Sequence, residues 1–169
     1  MSNRSEETGR SYTPPLTDLL PSGSSNEGFL ANGQTLDQVL KRDAEALNIL
    51  GYTASEIADL LEPVTAISSH HGTEYIAPNG KKYIVRAVQY RGWQDCPWED
   101  IKIPPNSSKD IYVKTASQEV RIPGMLPHLI RSHNFFEGGS YRVAPEDIVE
   151  MFGVEKTHGS IEKAKQLTL

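Results

Sequence analysis

Glu74-Tyr75-Ile76-Ala77-Pro78-Asn79-Gly80-Lys81-Lys82-Tyr83-Ile84-Val85-Arg86-Ala87-Val88-Gln89-Tyr90 is the stretch that decides the fold class. On both sides of Pro78-Asn79-Gly80 the side chains alternate with a period of two, which suits a strand and not a helix. Asn-Gly is the strongest short hairpin signal, because both central residues of such a turn must accept positive φ. Glu74 to Ala77 and Lys82 to Tyr90 are therefore expected to pair. Tyr83, Val85 and Ala87 share one face of the second strand, and Ile84, Arg86, Val88 and Tyr90 share the other. Downstream, Ile111 to Thr115 and Glu119 to Ile122 flank a turn at Ala116-Ser117 and read as a second strand pair.

Helices lie on either side of this β region. From Thr35 to Leu50, Leu36, Val39, Leu40, Leu47 and Leu50 form an apolar stripe, with Thr35 and Gln38 as a capping box and Gly51 as the stop. A second helix starts at Thr53, boxed by Glu56, and should end at Pro63. Together they make a helical hairpin over 36–62. After the strands, a helix is expected from about Met125 to Phe136, another from Pro145 to Phe152, and a short one from Ser160 to the end. The order helical hairpin, about four antiparallel strands, C-terminal helices is α+β. Leu40, Leu47, Ile57, Leu60, Val85, Val113, Leu129, Ile130, Ile148 and Phe152 are the expected core.

The 169 residues carry a net charge of -5, 37% hydrophobic and 23% charged side chains. Residues 1–33 are rich in Ser, Gly, Pro, Asn and Glu and read as a disordered or loosely attached tail, leaving 34–169 as one domain. Within the tail, Pro14 to Pro21 could dock on a partner or lean on the domain. The acidic balance gives no basic footprint, so nucleic acid is not an expected partner. No apolar leader or membrane-length run is visible, which makes the cytoplasm the expected location. A lone cysteine, Cys96, excludes an internal disulfide and a four-cysteine zinc site.

Leu50-Gly51-Tyr52-Thr53-Ala54-Ser55-Glu56-Ile57-Ala58-Asp59-Leu60-Leu61 resembles the first part of bacterial helix-turn-helix modules. The resemblance implies a DNA-binding regulator acting through the 36–62 hairpin. Its recognition helix should follow, but Val64 to Ser69 contains no basic residue for phosphate contacts.

The densest chemistry is in Arg91-Gly92-Trp93-Gln94-Asp95-Cys96-Pro97-Trp98-Glu99-Asp100. Two tryptophans in a loop are either plugs at the core edge or a surface for a ligand or protein partner. Trp93, Cys96, Trp98 and, from farther along, Arg142 are the binding candidates; Arg142 could pair with a carboxylate such as Glu137. As a nucleophile, Cys96 would need a lowered pKa, which Asp95, Glu99 and Asp100 oppose. The second constellation is His128-Leu129-Ile130-Arg131-Ser132-His133, whose spacing recurs among zinc ligands. Positions five apart on a helix are about 140° apart, so convergence calls for a loosened turn. Cys96, His128 and His133 form the candidate metal set, with a carboxylate or His70 or His71 as fourth ligand. The expected arrangement nevertheless keeps the thiol apart from the helix, with His133 a half-buried core residue. The function expected is thus a non-enzymatic binding or regulatory protein, contacting a protein partner through loop 91–100 and the tail, without a cofactor. A zinc-binding protein or a metal- or thiol-dependent enzyme is the alternative.

Overall fold

Pro78 and Gly80 together shape the turn of the first hairpin, at one edge of the sheet. A computed structural model describes residues 12–21, 23, 25 and 27–169. Gly80 N–H donates to the Ala77 carbonyl at 2.8 Å, and Gly80 alone in the turn has positive φ, +84°. The expectation of two positive-φ residues is therefore corrected. Pro78 holds a negative φ, which selects a type I turn followed by a left-handed glycine. The turn joins β1 (Thr73–Ile76) to β2 (Lys82–Gln89); β3 (Lys109–Lys114) and β4 (Glu119–Pro123) complete an antiparallel sheet of order β1-β2-β3-β4. Val85 pairs with Val113, and Ala87 with Ile111, which in turn pairs with Ile122. These side chains are buried, whereas Ile84 on the opposite face is exposed.

The helical hairpin forms as its capping residues dictate. α1 is a single turn at Leu16–Leu19; α2 (Leu36–Leu50) and α3 (Ala54–Thr65) each carry a complete capping box, at Thr35/Gln38 and Thr53/Glu56. α3 runs two residues past Pro63. A proline in the last turn removes a single helical hydrogen bond, and Pro63 itself is exposed, so the helix continues. Residues 66–72 then connect to β1 without a third helix. α4 (Leu126–His133), α5 (Pro145–Phe152) and α6 (Ile161–Lys165) follow the sheet. No helix among the described residues is long and apolar enough to cross a membrane.

The main core lies between α2, α3, α5 and one face of the sheet, with Ile57, Leu61, Val85, Val113, Ile148 and Phe152 at its centre. Leu40, Leu47 and Leu60, expected in the core, are only half-buried. The inward stripe of α2 carries Val39, Arg42, Asp43, Ala46 and Leu50 instead. Arg42 donates to both carboxylate oxygens of Glu146 on α5 and to Asp43 at 3.1 Å. Arg142 forks the same Asp43 at 2.7 and 2.8 Å. This buried charge network sets the rotation of α2, because desolvated charges must find partners.

A second core gathers Leu19, Phe29, Leu30, Val39, Cys96, Met125, Leu129 and Phe135. Leu19, Phe29 and Leu30 come from the stretch expected to be a loose tail, and their side chains are buried. Phe29 and Leu30 both donate to the Leu19 carbonyl, and the Phe29 carbonyl accepts from Gly138 at 2.7 Å. Residues 1–11, Ser22, Ser24 and Asn26 of the expected tail lie outside the described residues.

Candidate metal centre

Between β2 and β3 the chain leaves the sheet for residues 90–108. Tyr90 N–H to Ser108 O at 2.7 Å and Gln94 N–H to Ser107 O at 3.0 Å close the base of this loop. The far end of the loop lies on Gly124, just before α4. A Cβ there would sit 2.0 Å from the Asn106 carbonyl oxygen, so only glycine lets the two backbones approach. At the tip, Glu99 N–H donates to Cys96 O at 2.9 Å, closing a turn with Pro97 at its second position. Glu99 adopts φ +58°, and the chain doubles back so that Asp100 returns toward the Cys96 sulfur.

α4 supplies the other half. Leu126, Pro127, Leu129 and Ile130 are its buried residues. Its first turn is tight, with His128 N–H bonded to Met125 O at 3.0 Å, and it stops at His133, where Asn134 turns left-handed at φ 52°. No loosened turn is needed. The two imidazoles lean from both ends of this short helix toward one carboxylate. His128 Nε2 lies 3.2 Å from Asp100 Oδ1, and His133 Nε2 lies 2.8 Å from Asp100 Oδ2. Cys96 Sγ is 3.5 Å from His133 Nε2. The donor atoms of Cys96, Asp100, His128 and His133 all fall within 4.8 Å of one another. The expected separation of Cys96 from the histidine helix is thereby overturned. The loop is anchored at its base and on Gly124, which brings its tip against α4.

Aromatic packing fixes the orientation. The Trp98 ring stacks on His133 at 4.2 Å and 8°, and meets Phe135 edge-on at 5.3 Å. His128 and His133 are nearly perpendicular, 81° at 5.5 Å. Ser132 Oγ lies 3.5 Å from His128 Nδ1 and is placed to orient that ring through its other nitrogen. Of the binding candidates, Trp98 and Cys96 join the cluster. Trp93 is exposed, with its indole N–H on Asp95 at 2.9 Å. Arg142 sits in the charge network of α2; it takes the Glu137 carbonyl at 2.7 Å, and its carboxylate partner is Asp43, not Glu137. His70 and His71 pack against each other in an exposed connector, outside the cluster.

Burial pushes the Cys96 thiol up to about 12, and the neighbouring Asp100 adds to the rise; the backbone N–H groups of Trp98 and Glu99 favour the thiolate but are outweighed. Burial lowers the His133 pKa despite the attraction of Asp100, favouring the neutral ring. For Asp100, burial acts upward, yet hydrogen bonds from Cys96 and the charge of the imidazoles hold it below the ordinary carboxylate value. A thiol at this pKa lacks the thiolate fraction of a nucleophilic cysteine. The constellation offers one sulfur, one oxygen and two nitrogen donors. In a tetrahedral site with bonds of 2.0–2.3 Å, donors stand roughly 3.3–3.8 Å apart; the Cys96–His133 contact of 3.5 Å falls in that range, the two Asp100–imidazole contacts of 2.8 and 3.2 Å are hydrogen bonds shorter than it, and all four donors lie within 4.8 Å.

Sequence reading named the thiol and both imidazoles but left the fourth donor open between His70, His71 and an unspecified carboxylate. Cys96-x3-Asp100 has the spacing of a ligand pair on a turn, and that spacing was the available signal. No family model, curated protein or solved structure matches the chain.

Proposed function

We propose that this chain is a zinc-binding protein without catalytic activity, in which Cys96, Asp100, His128 and His133 hold one ion and fasten the aromatic loop to α4. The observation that carries the reading is the convergence of four donors, from two separate chain segments, within 4.8 Å. Sulfur and imidazole donors suit zinc and disfavour calcium and magnesium. Four protein ligands fill a tetrahedron and leave no open position for substrate or water, the pattern of a structural site. On binding, the thiol proton passes to solvent. Nε2 of each ring, which faces an Asp100 oxygen as an N–H donor, would give up that proton, with the neutral ring kept protonated on Nδ1, and so offer its lone pair to the ion. The zinc charge stabilises the thiolate that burial otherwise disfavours. Trp93, Ile101 and Ile103 are exposed on the fastened loop and supply the surface for a protein partner.

Metal analysis of untagged protein tests this reading. About one zinc per chain is expected, lost in Cys96→Ser and His133→Ala. Cobalt substituted for zinc should give tetrahedral ligand-field bands and a thiolate charge-transfer band, the latter absent in Cys96→Ser. Protein that takes up no stoichiometric zinc, or a Cys96→Ser variant that retains it, would refute the assignment.

A further inference from the structure

A separate cavity of about 380 Å³ opens between the base of the 90–108 loop, the end of β4 and the segment after α4. None of the four metal donors lines it. Its walls include Phe29, Tyr90, Trp93 and Tyr141, and its acids are Glu27, Asp110 and Glu137. Glu137 is 2% exposed, and no described residue hydrogen-bonds to its carboxyl group; only its backbone carbonyl is engaged, by Arg142. Asp110 is 5% exposed and accepts from the Tyr90 hydroxyl at 2.7 Å. Ser107 Oγ, also in this wall, is buried without a partner.

Among the described residues no cation hydrogen-bonds to the carboxyl group of Asp110 or Glu137. Arg121 pairs with the cavity acid Glu27 at 3.0 Å and lies over the Tyr141 ring at 3.9 Å, and it acts on Asp110 and Glu137 only through its charge. Lys109 Nζ donates to the Ile67 carbonyl at 2.9 Å, and Arg91 is exposed at the rim. A buried carboxyl with no partner is costly, and a cavity that presents one calls for a ligand with N–H donors or positive charge. Glu27, Asp110 and Glu137 do not converge as a set of ion ligands among the described residues, where the Cys96 cluster alone does so. A bare metal ion therefore fits poorly. An ammonium group carried on an apolar body fits the acids, the open volume and the aromatic walls together.

We propose that this cavity binds a small primary organic amine, its ammonium hydrogen-bonded to Glu137 with Asp110 supplying a second charge, and its alkyl part against Tyr90, Tyr141 and Phe29. The site is independent of the metal centre. Burial holds the Glu137 carboxyl up to about 8, with the Asp110 charge adding to the rise and the Arg121 charge opposing it, so an arriving ammonium displaces to solvent a proton that the group otherwise keeps at neutral pH.

Titration calorimetry of the full chain with n-butylammonium tests the proposal, with tetramethylammonium and calcium chloride as comparison probes. Saturable binding of n-butylammonium is expected, at least tenfold weaker in Glu137→Gln, weakened in Asp110→Asn and unchanged in Cys96→Ser. Tetramethylammonium, which has no N–H to donate, should bind more weakly. Far-UV circular dichroism establishes that each variant is folded, and Asp110→Asn stands in should Glu137→Gln fail to fold. The proposal is overturned by absence of saturable amine binding, by equal affinity in the folded acid-site variants, by equal binding of tetramethylammonium, or by calcium displacing the amine from the wild-type chain.

Discussion

Glu137 adopts φ 61° and keeps a carboxyl group inside the protein with no hydrogen bond to it from the described residues. Its folded-state pKa of about 8 stands above the ordinary 4.5, chiefly through burial. Between those values the folded chain binds a proton that the unfolded chain has released. The stability this group contributes is complete below about pH 4.5 and is lost as the pH rises through about 8. Glu137→Gln carries no such titration. The variant should melt above wild type at pH 8, and the gap should shrink steadily toward pH 5. Thermal melts across that range, without added amine, check this; a gap that stays constant with pH would show that the carboxyl is solvated. Asp100 is the other residue whose role depends on its surroundings. Asp100→Asn keeps the shape and removes the charge, and zinc affinity should fall at least tenfold, measured against a chromophoric chelator. In the sequence Asp100 stood out only as an acid opposing a Cys96 thiolate, and Glu137 only as a partner for Arg142. Carboxylates are frequent in this chain, and nothing local says which of them the fold will cover.

At the scale of elements, what was legible was local. Thr35/Gln38 and Thr53/Glu56 announced both capping boxes, and Gly51 the left-handed stop between the helices, because these depend on residues three or four apart. The rotation of α2 was legible only in part. Of the apolar stripe Leu36, Val39, Leu40, Leu47 and Leu50, Val39 and Leu50 are buried, but Leu36, Leu40 and Leu47 are not, because Arg42 and Asp43 turn inward to meet Glu146 and Arg142, far away in sequence. Arg42 is 9% exposed and also donates to the Ala164 and Leu167 carbonyls, so a single guanidinium ties α2 to α5 and to the C-terminal turn. Arg42→Met leaves Glu146 buried without its partner and should cost about 3–5 kcal/mol in urea unfolding. Adding Glu146→Leu to Arg42→Met should restore much of the loss, since an apolar pair replaces a stranded charge. A double variant no more stable than the single one would mean that the network is needed for packing geometry and not for charge compensation.

At the scale of the molecule, the two cores divide the work. The sheet, α2, α3 and α5 share one core, whose strand and helix periods are plain in the sequence. The second core is assembled from pieces with little pattern of their own: Leu19, Phe29 and Leu30 from a polar stretch, Cys96 from a loop, and Leu129 and Phe135 from α4 and the residues after it. Such a core cannot be read from periodicity, and the metal cluster is built against it for the same reason. The 90–108 loop exceeds the roughly 12–15 residues usual for an irregular connection, so it needs fastening. Its base is held by hydrogen bonds and its tip by the Cys96 cluster, while Lys102 between them is exposed. Tryptic cleavage after Lys102 therefore reports whether the tip is held. Zinc-loaded wild-type protein should resist it. Chelation should speed the cleavage several-fold, zinc should restore protection, and Cys96→Ser should be cleaved fast with or without zinc. The nick falls between β2 and β3 while their pairing through Val85 and Val113 persists, so both fragments should stay associated in the native protein. Equal cleavage rates in zinc and in chelator would show that the apolar packing of Trp98 and Phe135 alone holds the tip, and that the four donors meet without the ion doing mechanical service.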